Sequence, residues 1–449
     1  MRRFFLSLMV LLVAKPAFAQ EAEAAISGAD TAWILVSTAL VLLMTPALAF
    51  FYGGLVRAKN SLNTMMMSFV ALGVTGVIWA VVGYSLAFGE GNAWIGDLSM
   101  LFLNGVGVEA NGTIPHMLFM GFQGTFAIIT AALISGAIIG RMKFTAYVAF
   151  IALWGLIVYA PVAHWVWGGG WIGEMGALDF AGGAVVHVNA AAAALVAALF
   201  LGKRKDYGRQ ALLPHNVPFV LLGAGLLWFG WFGFNGGSAL AADGIASLAF
   251  INTLLAPTAT IVVWAFLDHF KSQKVTAVGL ATAIVVGLVA ITPAAGFISP
   301  MFALLLGGIA AFPSFFLINW RVKTRLDDSL DVVAAHGVGG LTGALLVGVF
   351  ADASVNGSAD GLLFGNPQQF VIQLVSIVAV FAYSGAFTYL ILKGLSLVTD
   401  IRSTKVQEGI GLDIIYHGEE AYTTGDGTML LLDEEFESKP VKEKVLADA

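Results

Sequence analysis

Eleven times between Thr31 and Leu392 the chain runs through an apolar stretch of the length a bilayer crossing needs, about 20 residues. The stretches are Thr31–Val56, Thr64–Phe88, Pro115–Gly140, Phe144–Val166, Gly183–Leu201 and Val217–Ala239, then Ile245–Leu267, Val275–Ile291, Pro300–Asn319, Val332–Phe350 and Phe370–Leu392. Only 11% of the 449 residues are charged, against about 25% in an ordinary soluble domain. The expected fold is an all-α polytopic membrane protein with eleven transmembrane helices.

The basic residues fit this map, because short cytoplasmic loops concentrate Lys and Arg. Arg57 and Lys59 follow the first stretch, Arg141 and Lys143 the third, and Lys203, Arg204, Lys205 and Arg209 the fifth. Lys271 and Lys274, then Arg321, Lys323 and Arg325, then Lys393, Arg402 and Lys405 continue on the same side. The intervening loops have no basic residue and carry Glu90, Asp97, Glu109, Glu174, Asp179, Asp243, Asp352 and Asp360. This predicts an N-out, C-in topology in a cell (inner) membrane.

Residues 1–19 pair Arg2 and Arg3 with an apolar run of about ten residues and the small-x-small ending Ala17-Phe18-Ala19, the pattern of a cleaved signal peptide. The eleven-helix unit then spans 30–397, and 398–449 is a polar cytoplasmic tail whose charge-rich end, after Asp433, is expected to be disordered. With no cysteine, thiolate metal sites and thiol chemistry are excluded. A net charge of -6 argues against nucleic acid. No metal or cofactor is implied.

His187 and His336 lie inside strongly apolar stretches, and an ionisable residue at membrane depth is a functional hypothesis by default. Each follows an aspartate by eight residues, Asp179 and Asp328, and each is followed by small residues. Phe51-Tyr52-Gly53-Gly54 is echoed by Phe234-Asn235-Gly236-Gly237. Stretches 1–5 and 6–10 therefore read as two copies. Five is odd, so the copies are inverted in the membrane, as in many transporters. Eight helical residues reach about 12 Å, which brings both imidazoles to the midplane from opposite faces. Close packing is expected through Gly339-x-x-x-Gly343 and Ala190–Ala194.

A pair of imidazoles with no Lys, Arg, Asp or Glu at their depth is polar but nominally uncharged. A neutral hydrogen-bonding solute, or an amine-like cation that gives up its proton, suits such a site better than a bare ion. On the outer side Phe122 and Phe126 stand at helical spacing, Trp167 offers a cation-binding face, and Ser238 beside Phe234 can accept an N–H bond.

At these residues the sequence resembles the Amt/MEP/Rh ammonium transporters, bacterial Amt type. The matching segments are Phe50–Arg57, Gln123–Phe126, Tyr159–His164 with Trp167–Gly170, Asp179–Asn189, Trp231–Ser238, Asp327–Gly337 and Gly411–Gly418. The resemblance implies a homotrimer with one pore per subunit, an external ammonium site of Trp167, Phe122, Phe126 and Ser238, and a gate of Phe126 over Phe234. Below these it implies twin pore histidines His187 and His336, with Trp231 also lining the pore. Asp179 matches an aspartate that organises backbone, and Asp328 resembles its internal counterpart. A PII-type signal protein on the cytoplasmic face is the implied partner.

The expected function is an ammonium transporter, not an enzyme: recruitment of the cation, deprotonation, conduction of ammonia and possible separate transfer of the proton. The alternative is an ammonium sensor signalling through its tail. A potassium channel, prompted by Val82-Gly83-Tyr84, lacks the remainder of a carbonyl filter. A hydrolase built on Ser238 and a membrane-buried histidine lacks a third orienting group.

Overall fold

The computed structural model describes residues 25–422. The expected signal peptide and the end of the tail lie outside the described residues. Among the described residues ten helices are long and apolar enough to cross a membrane. We label them, with one shorter apolar helix, α1 (Gly28–Leu55), α2 (Ala58–Phe88), α3 (His116–Ile138), α4 (Phe144–Glu174), α5 (Gly183–Leu201), α6 (Val217–Gly237), α7 (Gly244–Ser272), α8 (Ala277–Ile291), α9 (Pro300–Arg321), α10 (Val333–Phe350) and α11 (Pro367–Val398). α8 has 15 residues, where an apolar stretch of 17 was expected. The chain is a multi-pass membrane protein, and among the described residues its regular secondary structure is helical apart from a hairpin of two-residue strands, Ala110–Asn111 and Ile114–Pro115.

Side chains fix where several helices begin. Ser27 accepts from Asp30 N at α1, Asp243 from Ala246 N at α7 and Thr276 from Gly279 N at α8, each satisfying an amide that the helix itself leaves free.

Glycines set how close the helices come. A Cβ at Gly223 would lie 2.4 Å from Phe51 N, at Gly230 2.7 Å from Leu40 O and at Gly233 2.9 Å from Ser37 O. α6 therefore lies backbone to backbone along α1. The expected pairing of Gly339 and Gly343 with α5 is corrected: both face α8, where a Cβ at Gly343 would be 2.0 Å from Ala290 O. α5 is met instead by Gly337 and Gly340, whose added Cβ atoms would lie 3.0 Å from Ala191 Cβ and 2.9 Å from His187 Cβ. Heptad-like spacing cannot distinguish these faces, because α10 opens with a π-helical turn, Val333–Val338, that rotates the residues after it.

α5 opens the same way, over Gly183–Val188. Asp179 is outside the helix, so the reach of about 12 Å that eight helical residues would give is also corrected. Only the stretch from Gly183 to His187 is helical, little more than one turn.

After α11 the tail turns under the bundle and forms α12 (Lys405–Ile410) and α13 (Leu412–His417). It bonds to three basic loops: after α3, Lys143 N donates to Ile401 O at 3.0 Å and Ser403 N to Arg141 O at 2.8 Å; after α5, Arg402 donates to the carbonyls of Leu201 and Lys203; after α1, Lys59 donates to Gly409 O. Those loops and the tail share one end of the molecule, the tail face.

Candidate functional site

Three cavities stand in a row from the far face to the tail face. The first is a cleft of about 320 Å³ whose walls include Phe88, Phe122, Gln123, Phe126, Trp167, Phe180 and Ser238. All four residues expected at the outer cation site thus border one cleft. Trp167 donates its Nε1–H to Asp179 O at 2.9 Å, and its ring stands perpendicular to Phe126, 6.0 Å between centroids. Phe122 packs edge-on to Phe126 at 5.0 Å. The Ser238 hydroxyl donates to Phe234 O at 2.8 Å, which leaves its oxygen lone pairs free to accept.

Phe126 and Phe234 close the floor of the cleft. Their rings lie 4.3 Å apart at 33°, and each residue is 1% exposed. Beneath them is a small chamber of about 10 Å³ bordered by Phe234, Trp231, His187, His336 and Phe51. That is close to the least volume, about 10–15 Å³, able to hold one water-sized molecule. Its polar lining comes from the imidazoles and the indole; no Lys, Arg, Asp or Glu borders it.

The two histidines meet in the chamber. His187 Nδ1 and His336 Nδ1 are 3.2 Å apart with ring centroids at 5.3 Å, and His187 also stacks on Trp231 at 5.5 Å. One Nδ1 must donate and the other accept. His187 Nε2 has no protein partner. The Trp231 indole is turned by a bond from Nε1 to Thr292 Oγ1, 2.9 Å. His336 and Phe51 also border the third cavity, a cleft of about 430 Å³ on the tail face, together with Arg204, Tyr207, Arg321 and Asp331.

Asp179 and Asp328 hold the two histidine-bearing turns unequally. The Asp179 carboxylate accepts from the amides of Gly182, Gly183, Ala184 and Val185, at 3.0, 2.5, 2.9 and 3.1 Å. Burial pushes its carboxyl up to about 6 against the opposite pull of those four donors. Gly182 beside it has φ +113, and a side chain there would press on Val186 and Trp167. Asp328 accepts only from Val333 N, 2.8 Å, while its Oδ1 has no partner. Burial and the nearby Asp331 carboxylate push it up to about 7.

Several positioning residues were not singled out from sequence. Gln373 on α11 accepts from Leu178 N and donates to Leu178 O, both at 2.7 Å, fixing the residue before Asp179. Gln369 donates to Gly176 O at 2.9 Å. A glutamine at the edge of an apolar stretch, Gln369, and one inside it, Gln373, were a visible signal. Thr292, which follows an apolar stretch, offered none.

The family model for the Ammonium Transporter Family matches residues 32–422. An ammonium transporter of Bacillus subtilis is 47% identical over 398 residues, covering 88% of this chain and 98% of its own length. The crystal structure of Saccharomyces cerevisiae Mep2 aligns with TM-score 0.78 and 37% identity over 82% of this chain and 85% of that one. A structure described as a sensor Amt protein aligns with TM-score 0.82 and 30% identity over 87% of this chain and 98% of that one.

Proposed function

The chain belongs to the ammonium transporter family, and on that premise we propose that it recruits ammonium at the Trp167 cleft, strips the proton near the Phe126–Phe234 stack and conducts ammonia past His187 and His336. The observation that carries this reading is the row of three cavities whose middle chamber has no charged wall and is interrupted by a phenyl pair and an imidazole pair.

In the cleft an ammonium ion faces the Trp167 ring, worth about 2 kcal/mol or more when desolvated, and gives an N–H to Ser238 Oγ. Moving an ion into low dielectric costs of order 20 kcal/mol in the idealised limit, and several kcal/mol after relaxation. An amine-like cation with a pKa around 10 sheds its proton at pH 7 for about 4–5 kcal/mol. Loss of the proton is therefore the easier way past two buried phenyl rings. In the chamber a neutral ammonia finds the free His187 Nε2, and the Nδ1–Nδ1 contact supplies a path for a separately returning proton. Potassium has no proton to lose.

The far face is the outside and the tail face the cytoplasm of an inner membrane, in line with the loops that carry the basic residues. α8 is the eleventh crossing, and the two histidine-bearing helices are inverted-repeat mates. Residues 1–19 leave as a signal peptide, and 398–449 serve as the cytoplasmic tail. The molecule works as a homotrimer, with the tail-face loops and tail as the surface for a PII-type protein. Asp179 and Asp328 act on backbone rather than on the substrate.

A sensing role through the tail is the second reading, favoured by the likeness to the sensor Amt protein. Purified protein in proteoliposomes separates them. The transport reading expects saturable ammonium-driven uptake with current recorded in parallel, and uptake that persists after removal of the residues beyond 398. Binding without flux would sink it.

A further inference from the structure

Only two of the residues that wall the far-face cleft have a side-chain oxygen, Ser238 and Gln123. Gln123 has no part in the path described above. It lies on α3 in the stripe Phe119, Phe122, Gln123 and Phe126, and all four residues border the cleft. Their spacing, i, i+3, i+4 and i+7, is one face of a helix. The next residue, Gly124, is turned away toward α2, where a Cβ on it would lie 2.8 Å from Trp79 Cδ1. A lone carboxamide thus stands in an otherwise aromatic stripe.

Among the described residues no backbone or side-chain group bonds to that carboxamide, while the polar groups around it are engaged elsewhere. Thr125 Oγ1 donates to Phe122 O at 2.6 Å, Thr130 Oγ1 to Phe126 O at 2.6 Å, and Trp79 Nε1 to Met120 O at 3.1 Å. The amide is therefore free to turn its oxygen toward a cation in the cleft. Ammonium has four N–H groups, all of them hydrogen-bonded in water. In the cleft Ser238 Oγ, whose own hydrogen goes to Phe234 O, takes one, and the Trp167 ring faces another. An N–H that gives up water without finding an acceptor is costly, the more so on a charged group. The remaining side chains of the wall are phenyl rings, a valine and a leucine.

We propose that Gln123 is a second hydrogen-bond acceptor for ammonium in the cleft: its carboxamide oxygen takes one N–H on the α3 wall while Ser238 Oγ takes another at the end of α6. The inference rests on the recruitment reading given above. Bonds to an ionised donor are stronger than neutral ones, so two neutral oxygens and one indole face hold the cation firmly. Neither oxygen carries a charge that would trap the ion ahead of the Phe126–Phe234 stack. Gln123 thus sets how tightly the cation is held without opposing loss of its proton.

The test uses full-length protein in proteoliposomes at pH 7, with ammonium-driven uptake measured over a range of ammonium concentrations. Gln123→Met keeps the length of the side chain and removes the acceptor. It should raise the half-saturating concentration about tenfold while the maximal rate changes by less than about twofold, the mark of lost ground-state binding. Gln123→Glu keeps an acceptor and adds a charge opposite to that of the ion. It should lower the half-saturating concentration by about threefold or more and slow the maximal rate, since binding gained only in the ground state must be undone before the proton leaves. A residue that merely shapes the wall would shift both variants in the same direction. Trp167→Leu serves as the reference for the recruitment site. A wild-type half-saturating concentration in Gln123→Met, when Trp167→Leu raises it, would overturn the proposal, and so would a rise in Gln123→Glu. Should Gln123→Met fail to assemble, Gln123→Glu decides alone: an unchanged or raised value overturns the proposal. Should Trp167→Leu leave the value at that of the wild type, the recruitment reading has failed and the proposal fails with it.

Discussion

His187 and His336 present the same atom to each other, Nδ1 to Nδ1 at 3.2 Å, so the two rings hold opposite tautomers and share one hydrogen between them. The free edge of the pair, His187 Nε2, borders a chamber with room for about one small molecule. A proton arriving at one ring must therefore be handed on or rearrange both.

Replacing both histidines with leucine keeps the chamber filled by apolar side chains but removes its imidazole hydrogen-bonding groups. We expect ammonium-driven current in proteoliposomes to fall by about 100-fold or more, which corresponds to about 2.7 kcal/mol or more on the barrier. Current that persists at the wild-type level in the double variant would remove the pair from the proton path.

The Phe126–Phe234 stack stands between the far-face cleft and the chamber. Phe126→Ala deletes a buried ring, a change that costs about 3–5 kcal/mol where the site cannot collapse. The hole so formed joins the cleft to the chamber. We expect potassium-driven current, absent in the wild type, to appear in Phe126→Ala, and ammonium selectivity to drop with it. Potassium current staying at background would mean that the ring does not exclude ions.

Part of this site was legible in the sequence because hydropathy makes a membrane-depth histidine conspicuous, and two such residues after two aspartates suggested that they meet. The route by which they meet was not legible. Spacing alone treats Asp179 to His187 as continuous helix, whereas four amides turn onto the Asp179 carboxylate and the helix starts only at Gly183. The π turns at the heads of α5 and α10 leave no periodic trace, so Gly339 and Gly343 were assigned to the wrong neighbour. Contacts such as Trp231 with Thr292, or the tail with Asn63, join segments 61 and 350 residues apart. Their partners are set by packing, which a single sequence does not encode locally.

Asp328 gives the pH dependence a sign. Its carboxyl is fully buried, has one oxygen without a partner and sits near Asp331, so it is pushed up to about 7 from 3.8. A carboxyl raised on folding contributes stability that is fully present below its unfolded value, near 4, and is lost as pH climbs through about 7. At about 1.36 kcal/mol per unit the loss is at most about 4 kcal/mol. Asp328→Asn keeps a neutral side chain at every pH. We expect the melting temperature of the wild type, measured in detergent from pH 4.5 to 7.5, to fall by several degrees more than that of Asp328→Asn. Parallel curves for the two proteins would show that Asp328 stays ionised throughout.

The tail is seated by a different use of carboxylate and glycine. Asp413 accepts from Leu62 N and Asn63 N, 3.0 and 2.7 Å, at the start of the long helical run of α2, and Leu412 N donates to Asn60 Oδ1 at 2.9 Å. Glu408 takes Lys205 N at 2.7 Å and binds Arg402, joining the loop after α5 to the same seat. Between them Gly411 has φ +126, and a Cβ there would lie 2.7 Å from Lys59 O. Gly411→Val meets both strain in the left-handed region, of order 1–3 kcal/mol, and collision with the α1–α2 loop. Relief requires α13 to lift, which withdraws Asp413 from the α2 amides. We expect hydrogen exchange at Leu62 and Asn63 to speed up by roughly 5- to 150-fold, the equivalent of that strain as a local opening free energy, while exchange in α5 stays slow. If the two amides remain protected, α13 is held by something other than its glycine turn.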